Sequence, residues 1–285
     1  MVEDFRLELR DPLLTLPEYP RGSRLSRNHY HPTVSELVAA NDNDPEPPRP
    51  DWVSAAISSR PNGQLATYHE RHPTFASLSP KTRRMTSEES YWERQYRVWW
   101  NLDPDVGDFE MQGLEIRMLS EGRSTETVYT LDAILARGGR LEAREIKASG
   151  SHLMEQNTAR LMVNVADILA RADIDFKPVT ASPFLENRRL RYNLSYGSIH
   201  KNDVVPQAEA DAVVNALAQG ASRFSDIAPL LGHCPLLGKA KAFSLLASRR
   251  LWFDLQTELR DTSTVRAPMP TTAPNIRKIN RRFVR

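Results

Sequence analysis

Apolar positions first become regular near residue 90. In SEESYWERQYRVWWNLDP, Trp92, Tyr96 and Trp99 recur at i, i+4 and i+7, the spacing that gathers side chains on one helical face. Thr86 and Glu89 carry capping-box spacing before this stretch, and Pro104 forbids its continuation, so the pattern predicts an amphipathic helix of about four turns. Three β-type runs follow: FEMQGLEIRML, VYTLDAILA and LEAREIKA. Gly138-Gly139 separates the last two, and this is a residue pair suited to a tight hairpin turn. From His152 to Arg171, Leu153, Asn157, Leu161, Val165 and Ile168 form a helical stripe, after which FKPVTA reads as another strand. The order helix, three strands, helix, strand predicts an α/β chain with a mixed sheet flanked by helices, because a strand reached through a crossover helix runs parallel to a neighbour. FLENRRLRYNLSY adds a further helix.

A second unit begins beyond Pro206. Helix-like stretches over 207–220, 223–231 and 238–249 precede the strand-like LWFDL, which outlines a winged-helix-like domain. The chain before residue 81 has a different character. Eleven of the twenty prolines lie there, and NDNDPEPPRPD cannot bury enough apolar surface to fold. Residues 1–80 therefore read as a partly disordered, Pro-rich extension with isolated short elements and no catalytic part. His29 and His31 in NHYHP have no further ligands nearby and read as a surface loop. The predicted divisions are 1–80, 81–203, 204–260 and 261–285.

Charge alters the picture at one end only. The net charge is +2, yet six bases and no acids follow Asp261, so the first 261 residues carry −4. The closing stretch IRKINRRFVR is a basic tail, read either as a solvated terminus or as a contact for phosphates. No run of 18 apolar residues occurs, and the first residues mix acids and bases where a signal peptide needs an apolar core. The expectation is a cytoplasmic protein with no membrane partner. The single Cys234 rules out an internal disulfide or a cysteine-rich zinc site, and GHCPLLG reads as a buried small residue in its setting.

The chemistry concentrates in the hairpin. With Gly138 and Gly139 at the turn, Arg137 faces Arg140, Asp132 lies opposite Glu145, and Lys147 projects on the same face opposite Thr130. Two carboxylates at cross-strand distance repel one another unless a cation lies between them. Oxygen ligands of this kind suit Mg²⁺, with Mn²⁺ as a substitute. A lysine beside the cation positions an attacking water or stabilises charge developing on a phosphate.

An aspartate followed by Glu-x-Lys on the next strand, with an acidic helix before them, resembles the PD-(D/E)xK nuclease superfamily. More narrowly, SEESYWERQYRVWWNLDPDVGDFEMQGLEI with YTLDAIL and EIKAS resembles the TnsA-type endonuclease subunit of heteromeric transposases. The matching residues are Ser90, Glu93 and Arg94 on the helix, then Phe109 and Gln112 on the strand. The resemblance spans residues ~85–200, and the helical outline after it fits the family's two-domain plan. Leu131 stands where the family usually has a proline before the aspartate.

This resemblance implies a restriction-endonuclease-like fold for 81–203. It makes Asp132 and Glu145 the main metal ligands, Glu93 the helix-borne acid with a share in the metal, and Lys147 the catalytic lysine. Glu89, one turn earlier, is the alternative to Glu93. It further implies Mg²⁺-dependent nicking of one strand at transposon ends, with DNA and a DDE-type transposase subunit as partners and room for an AAA+ ATPase regulator. A free-standing restriction, defence or repair nuclease of the same fold is one rival, and a non-catalytic DNA-binding adaptor is another. Gln112 is structural or DNA-facing, and Asn187 is a phosphate contact or a turn residue. Lys239, Lys241, Arg249 and Arg250 of the third C-terminal helix are expected near DNA or an acidic partner.

Overall fold

Three strands precede the first helix among the described residues: β1 (Trp52–Ser59), β2 (Phe75–Ser79) and β3 (Arg84–Glu88). The computed structural model describes residues 49–60, 75–79, 81–232, 234–270 and 275–284. His29, His31 and most of the Pro-rich segment lie outside them. Helix α1 (Tyr91–Leu102) leads into β4 (Val106–Ser120), β5 (Thr127–Arg137) and β6 (Arg140–Lys147). Then come α2 (Gly150–Met154), α3 (Gln156–Arg171) and β7 (Ile174–Thr180). The expected order is present, with the helix predicted over 152–171 divided into two.

The hairpin forms as its glycines require. Gly138 and Gly139 take φ values of 53° and 86°, both positive as a two-residue turn of this hand demands. The ladder then runs in the expected register from Arg137↔Arg140 to Ala133↔Arg144. On the far side of β6, β7 pairs in parallel after the crossover through α3. Two apolar faces result. Leu114, Ile116, Ile134 and Ala143 pack against Val165, Ile168 and Leu169 of α3, while Phe109, Met111, Ala133 and Leu135 pack against Trp92, Tyr96 and Trp100 of α1.

The sheet extends beyond residues 81–203 in both directions. Its order is β10-β1-β4-β5-β6-β7, where β10 is Asn280–Val284. Strand β1 lies between β4 and β10, antiparallel to both, and Trp52 and Ile57 are fully buried. Burying each such side chain stabilises the fold by about 1.5–3 kcal/mol. The basic tail is likewise part of the fold. Ile276 and Ile279 enter the α3-side core, Arg277 pairs with Glu110, and Arg281 donates to the Ala172 carbonyl at 2.7 Å. Its charged residues mask the apolar ones that anchor it, which is why charge alone made it look like a free terminus.

After β7, α4 (Ser182–Glu186) and α5 (Arg188–His200) lead to a helical unit. It contains α6 (Gln207–Ala218), α7 (Phe224–Ile227) with a 3₁₀ turn at Ala228–Leu231, and α8 (Pro235–Ala247). A short ladder of β8 (Trp252–Phe253) and β9 (Val265–Arg266) follows. This unit shares a core with α1 and α5. Gly197 of α5 marks the junction, since a Cβ there would lie 2.7 Å from Leu102 Cδ1 and 2.9 Å from Phe243 Cδ1. Cys234 is exposed just before α8, contrary to the buried setting expected for it. Among the described residues no helix is long and apolar enough to cross a membrane.

Candidate active site

Glu93 reaches the site through the way α1 begins. The cap is Ser90, whose Oγ accepts the Glu93 N–H at 3.2 Å, while Glu93 Oε2 accepts the Glu89 N–H at 3.0 Å. The first bond satisfies a backbone donor that the first turn leaves open, and the second ties the residue before the cap to the helix. The spacing at Thr86 and Glu89 was misleading, because Thr86 belongs to β3, paired with β2. Glu89 precedes the helix and is exposed, whereas Glu93 is only 6% exposed. Tyr96 donates to the Thr180 carbonyl at 2.8 Å, so the same helix is anchored at the end of β7.

Asp132 is placed by a bulge. Met111 pairs with Ala133 and Leu114 with Leu131, so Gln112 and Gly113 together oppose Asp132. Gln112 adopts φ 49°, and a Cβ on Gly113 would lie 2.5 Å from Glu110 Cβ, a space only glycine can occupy. The alternation of β5 slips here: Leu131 and Ile134 join the α3-side core, but Ala133 and Leu135 join the other. The hairpin ladder also stops at Ala133↔Arg144, and Asp132 Oδ2 instead accepts the Ile146 N–H at 2.6 Å. Thr130 pairs with Glu115 on the β4 side and accepts from Arg60 at 3.0 Å, and because the β5–β6 ladder ends at Ala133↔Arg144 it is not paired with Lys147.

Glu93, Asp132, Glu145 and Lys147 converge at the end of β6. Glu145 is 2% exposed, and its Oε1 forms an ion pair with Lys147 Nζ. Its Oε2 is buried, and the Tyr129 hydroxyl lies beside this carboxylate. Burial, then Glu145 and Glu93, raise the Asp132 carboxyl well above its ordinary range, against the pull of Lys147. Burial also raises Glu93. Burial alone would lower the Lys147 ammonium, but Glu145, Asp132 and Glu93 hold it above its usual value. Three acids against one lysine, sheltered from water, form an electrostatically unbalanced cluster that a cation would relieve.

No protein-family model matches the chain, and no curated protein matches it significantly. The case for this site therefore rests on its own geometry. Among the described residues no three His, Cys, Asp or Glu side chains assemble into a ready-made metal cage. The available donors are two carboxylates, with Glu93 beside them. Magnesium commonly uses one or two carboxylates and completes its shell with water and substrate phosphate.

The remaining sequence candidates are dispersed. Gln112 is 8% exposed within the bulge. Asn187 caps α5, accepting the Leu190 N–H at 3.0 Å and donating to the Gln256 carbonyl at 2.9 Å. Lys241 is buried in an ion pair with Glu209 at 2.6 Å. Arg249 ends α8 in the left-handed conformation and donates to the Pro104 carbonyl at 3.0 Å. Arg250 bonds Gln207, and Lys239 is half-buried. Lys241 thus holds the helical unit together, and Arg249 ties it to the turn between α1 and β4.

Sequence reasoning missed Tyr129. Its ring packs beside Leu153 and Met162, and its buried hydroxyl lies against the Glu145 carboxylate. Burial, then Glu145 and Asp132, push the phenol above its ordinary value. Strict alternation along β5 would set Tyr129 on the face opposite Asp132, and only the slip at Asp132 brings it to the acids. A signal for that slip existed in the isolated glycine of FEMQGLEI.

Proposed function

We propose that this chain is a divalent-cation-dependent DNA endonuclease with a restriction-endonuclease-like core, acting as the strand-nicking subunit of a heteromeric transposase. The observation that carries this reading is the convergence of Glu93, Asp132, Glu145 and Lys147 from α1, β5 and β6 on one buried site with three acids against one lysine. The order of elements around it supports the core fold, and three helices with a two-strand ladder support a winged-helix-like second unit. The transposase assignment rests on the resemblance alone.

Asp132 and Glu145 would hold Mg²⁺ or Mn²⁺, with Glu93 supporting them. The bound cation would supply Lewis-acid polarisation of the scissile phosphate and a more acidic water. Lys147, charged and one-third exposed at the mouth of the site, donates to the attacking water or to a phosphate oxygen. Ile146 fixes Asp132 through its backbone N–H, so the carboxylate needs little reorganisation during the reaction. Because Lys241 and Arg249 are engaged internally, DNA placement by the third helix of the second unit has weak support, which favours positioning by partner proteins.

The decisive assay is Mg²⁺-dependent nicking of transposon-end DNA by the purified chain with its transposase. Asp132→Ala and Lys147→Ala should each reduce nicking by at least about 100-fold. Unchanged nicking in either variant would refute the assigned site. Equal cleavage of DNA lacking ends, without a partner, would identify the free-standing nuclease instead.

A further inference from the structure

We infer that Tyr129 is a positioning residue that holds Glu145 to receive the divalent cation. The inference rests on the nuclease reading and deepens it. Two observations motivate it: the buried Tyr129 hydroxyl is a hydrogen-bonding neighbour of the Glu145 carboxylate, and Glu145 Oε2 is itself buried. A buried phenol against a buried carboxylate at the same site calls for a common explanation. Glu145 is the carboxylate with the strongest influence on the phenol, and Asp132 is the next.

The two groups differ in their freedom. Glu145 Oε1 is tied to Lys147, which leaves Oε2 as the oxygen still open to a second interaction. The Tyr129 ring is confined by the cluster of Leu153 and Met162, beside Leu161 and Phe176, so its hydroxyl has a fixed position and only its proton rotates. A hydroxyl held in this way is a pre-placed donor. A carboxylate oxygen has lone pairs for both a donor and a cation, so accepting from Tyr129 does not remove Glu145 as a ligand. Donors that orient metal-binding carboxylates commonly contribute 10–100-fold to cation affinity. No proton is transferred in this role. Tyr129 acts through Glu145 and does not touch the reacting phosphate.

Mn²⁺ binding to the full chain by calorimetry tests the inference, with Tyr129→Phe as the variant because it keeps the ring and removes only the hydroxyl. The expected result is Mn²⁺ affinity at least about tenfold weaker than wild type. In EDTA, Tyr129→Phe should still melt cooperatively, with a midpoint within a few degrees of wild type, since one hydrogen bond contributes only a small part of the stability. Mn²⁺ should then raise that midpoint less than it raises the wild-type one. Mn²⁺ affinity within twofold of wild type would overturn the role of Tyr129 while leaving the site intact. Wild-type protein that binds no Mn²⁺, or binding that survives Asp132→Ala, would overturn the nuclease reading and this inference together.

Discussion

Replacing Asp132 with asparagine should make the cation-free protein more stable while removing its response to divalent cations. Asp132 binds its proton more tightly in the folded chain than in the unfolded one, because burial, Glu145 and Glu93 all oppose its charge. The folded state thus holds the extra proton, and stability in EDTA falls as pH rises from the unfolded value of about 3.9 through the raised folded value. Two carboxylates at roughly strand spacing, ~5 Å, repel by about 3 kcal/mol at an effective dielectric of ~20. The amide keeps an acceptor for the Ile146 N–H but loses the charge assistance, a cost of about 1 kcal/mol. The net gain for Asp132→Asn is about 2 kcal/mol at pH 8, or roughly 4–8 °C in the unfolding midpoint. Thermal melts followed by circular dichroism at pH 5 and pH 8, with EDTA or Mn²⁺, measure it. The gain should shrink at pH 5, and Mn²⁺ should stabilise wild type only. Equal or lower stability of the variant at pH 8, or the same gain at both pH values, would refute the repulsive-cluster argument.

Two further substitutions test other parts of the account. Gly113→Ala should lower stability by about 2–3 kcal/mol in urea titrations and weaken Mn²⁺ binding, because its Cβ would collide with Glu110 at 2.5 Å. A variant as stable as wild type would mean that the bulge is not needed. Lys241→Met, which leaves Glu209 unpaired, should destabilise the helical unit by about 1 kcal/mol and leave the salt dependence of DNA binding unchanged. A salt slope smaller by about 1 would instead place Lys241 on a phosphate.

Local signals in the sequence were sufficient where one residue pair decides the geometry. Gly138 and Gly139 admit the turn, and the turn sets the register through to Ala133↔Arg144. Beyond that point Asp132 answers to β4, and an alternation rule applied to β5 alone cannot include a bulge on its neighbour. The cap of α1 is ambiguous in the sequence because two successive segments, beginning at Thr86 and at Ser90, have the required spacing, and the pairing of β3 with β2 settles it. Strand β1 was obscured for a different reason. WVSAAISS is short and only partly apolar, and its burial depends on β4 and β10, distant partners that local periodicity does not reveal. The four site residues were legible as a motif, whereas Tyr129 emerges only from three-dimensional packing.

The position of β1 also bears on how the chain is made. Ser59 donates its N–H to the Ile279 carbonyl, 220 residues later, and Arg60 donates its own to the carbonyl of Gly113 in the bulge. At roughly 5–20 residues per second, a ribosome needs about 10–45 s to synthesise the intervening stretch. Throughout that interval β1 has an unpaired edge, open to strands of other nascent chains. The hairpin with the acids can fold early, but the sheet that braces it closes only when β10 emerges. Chains interrupted before that point would carry all four site residues on an unfinished support, so aggregation of nascent products is the hazard built into this topology.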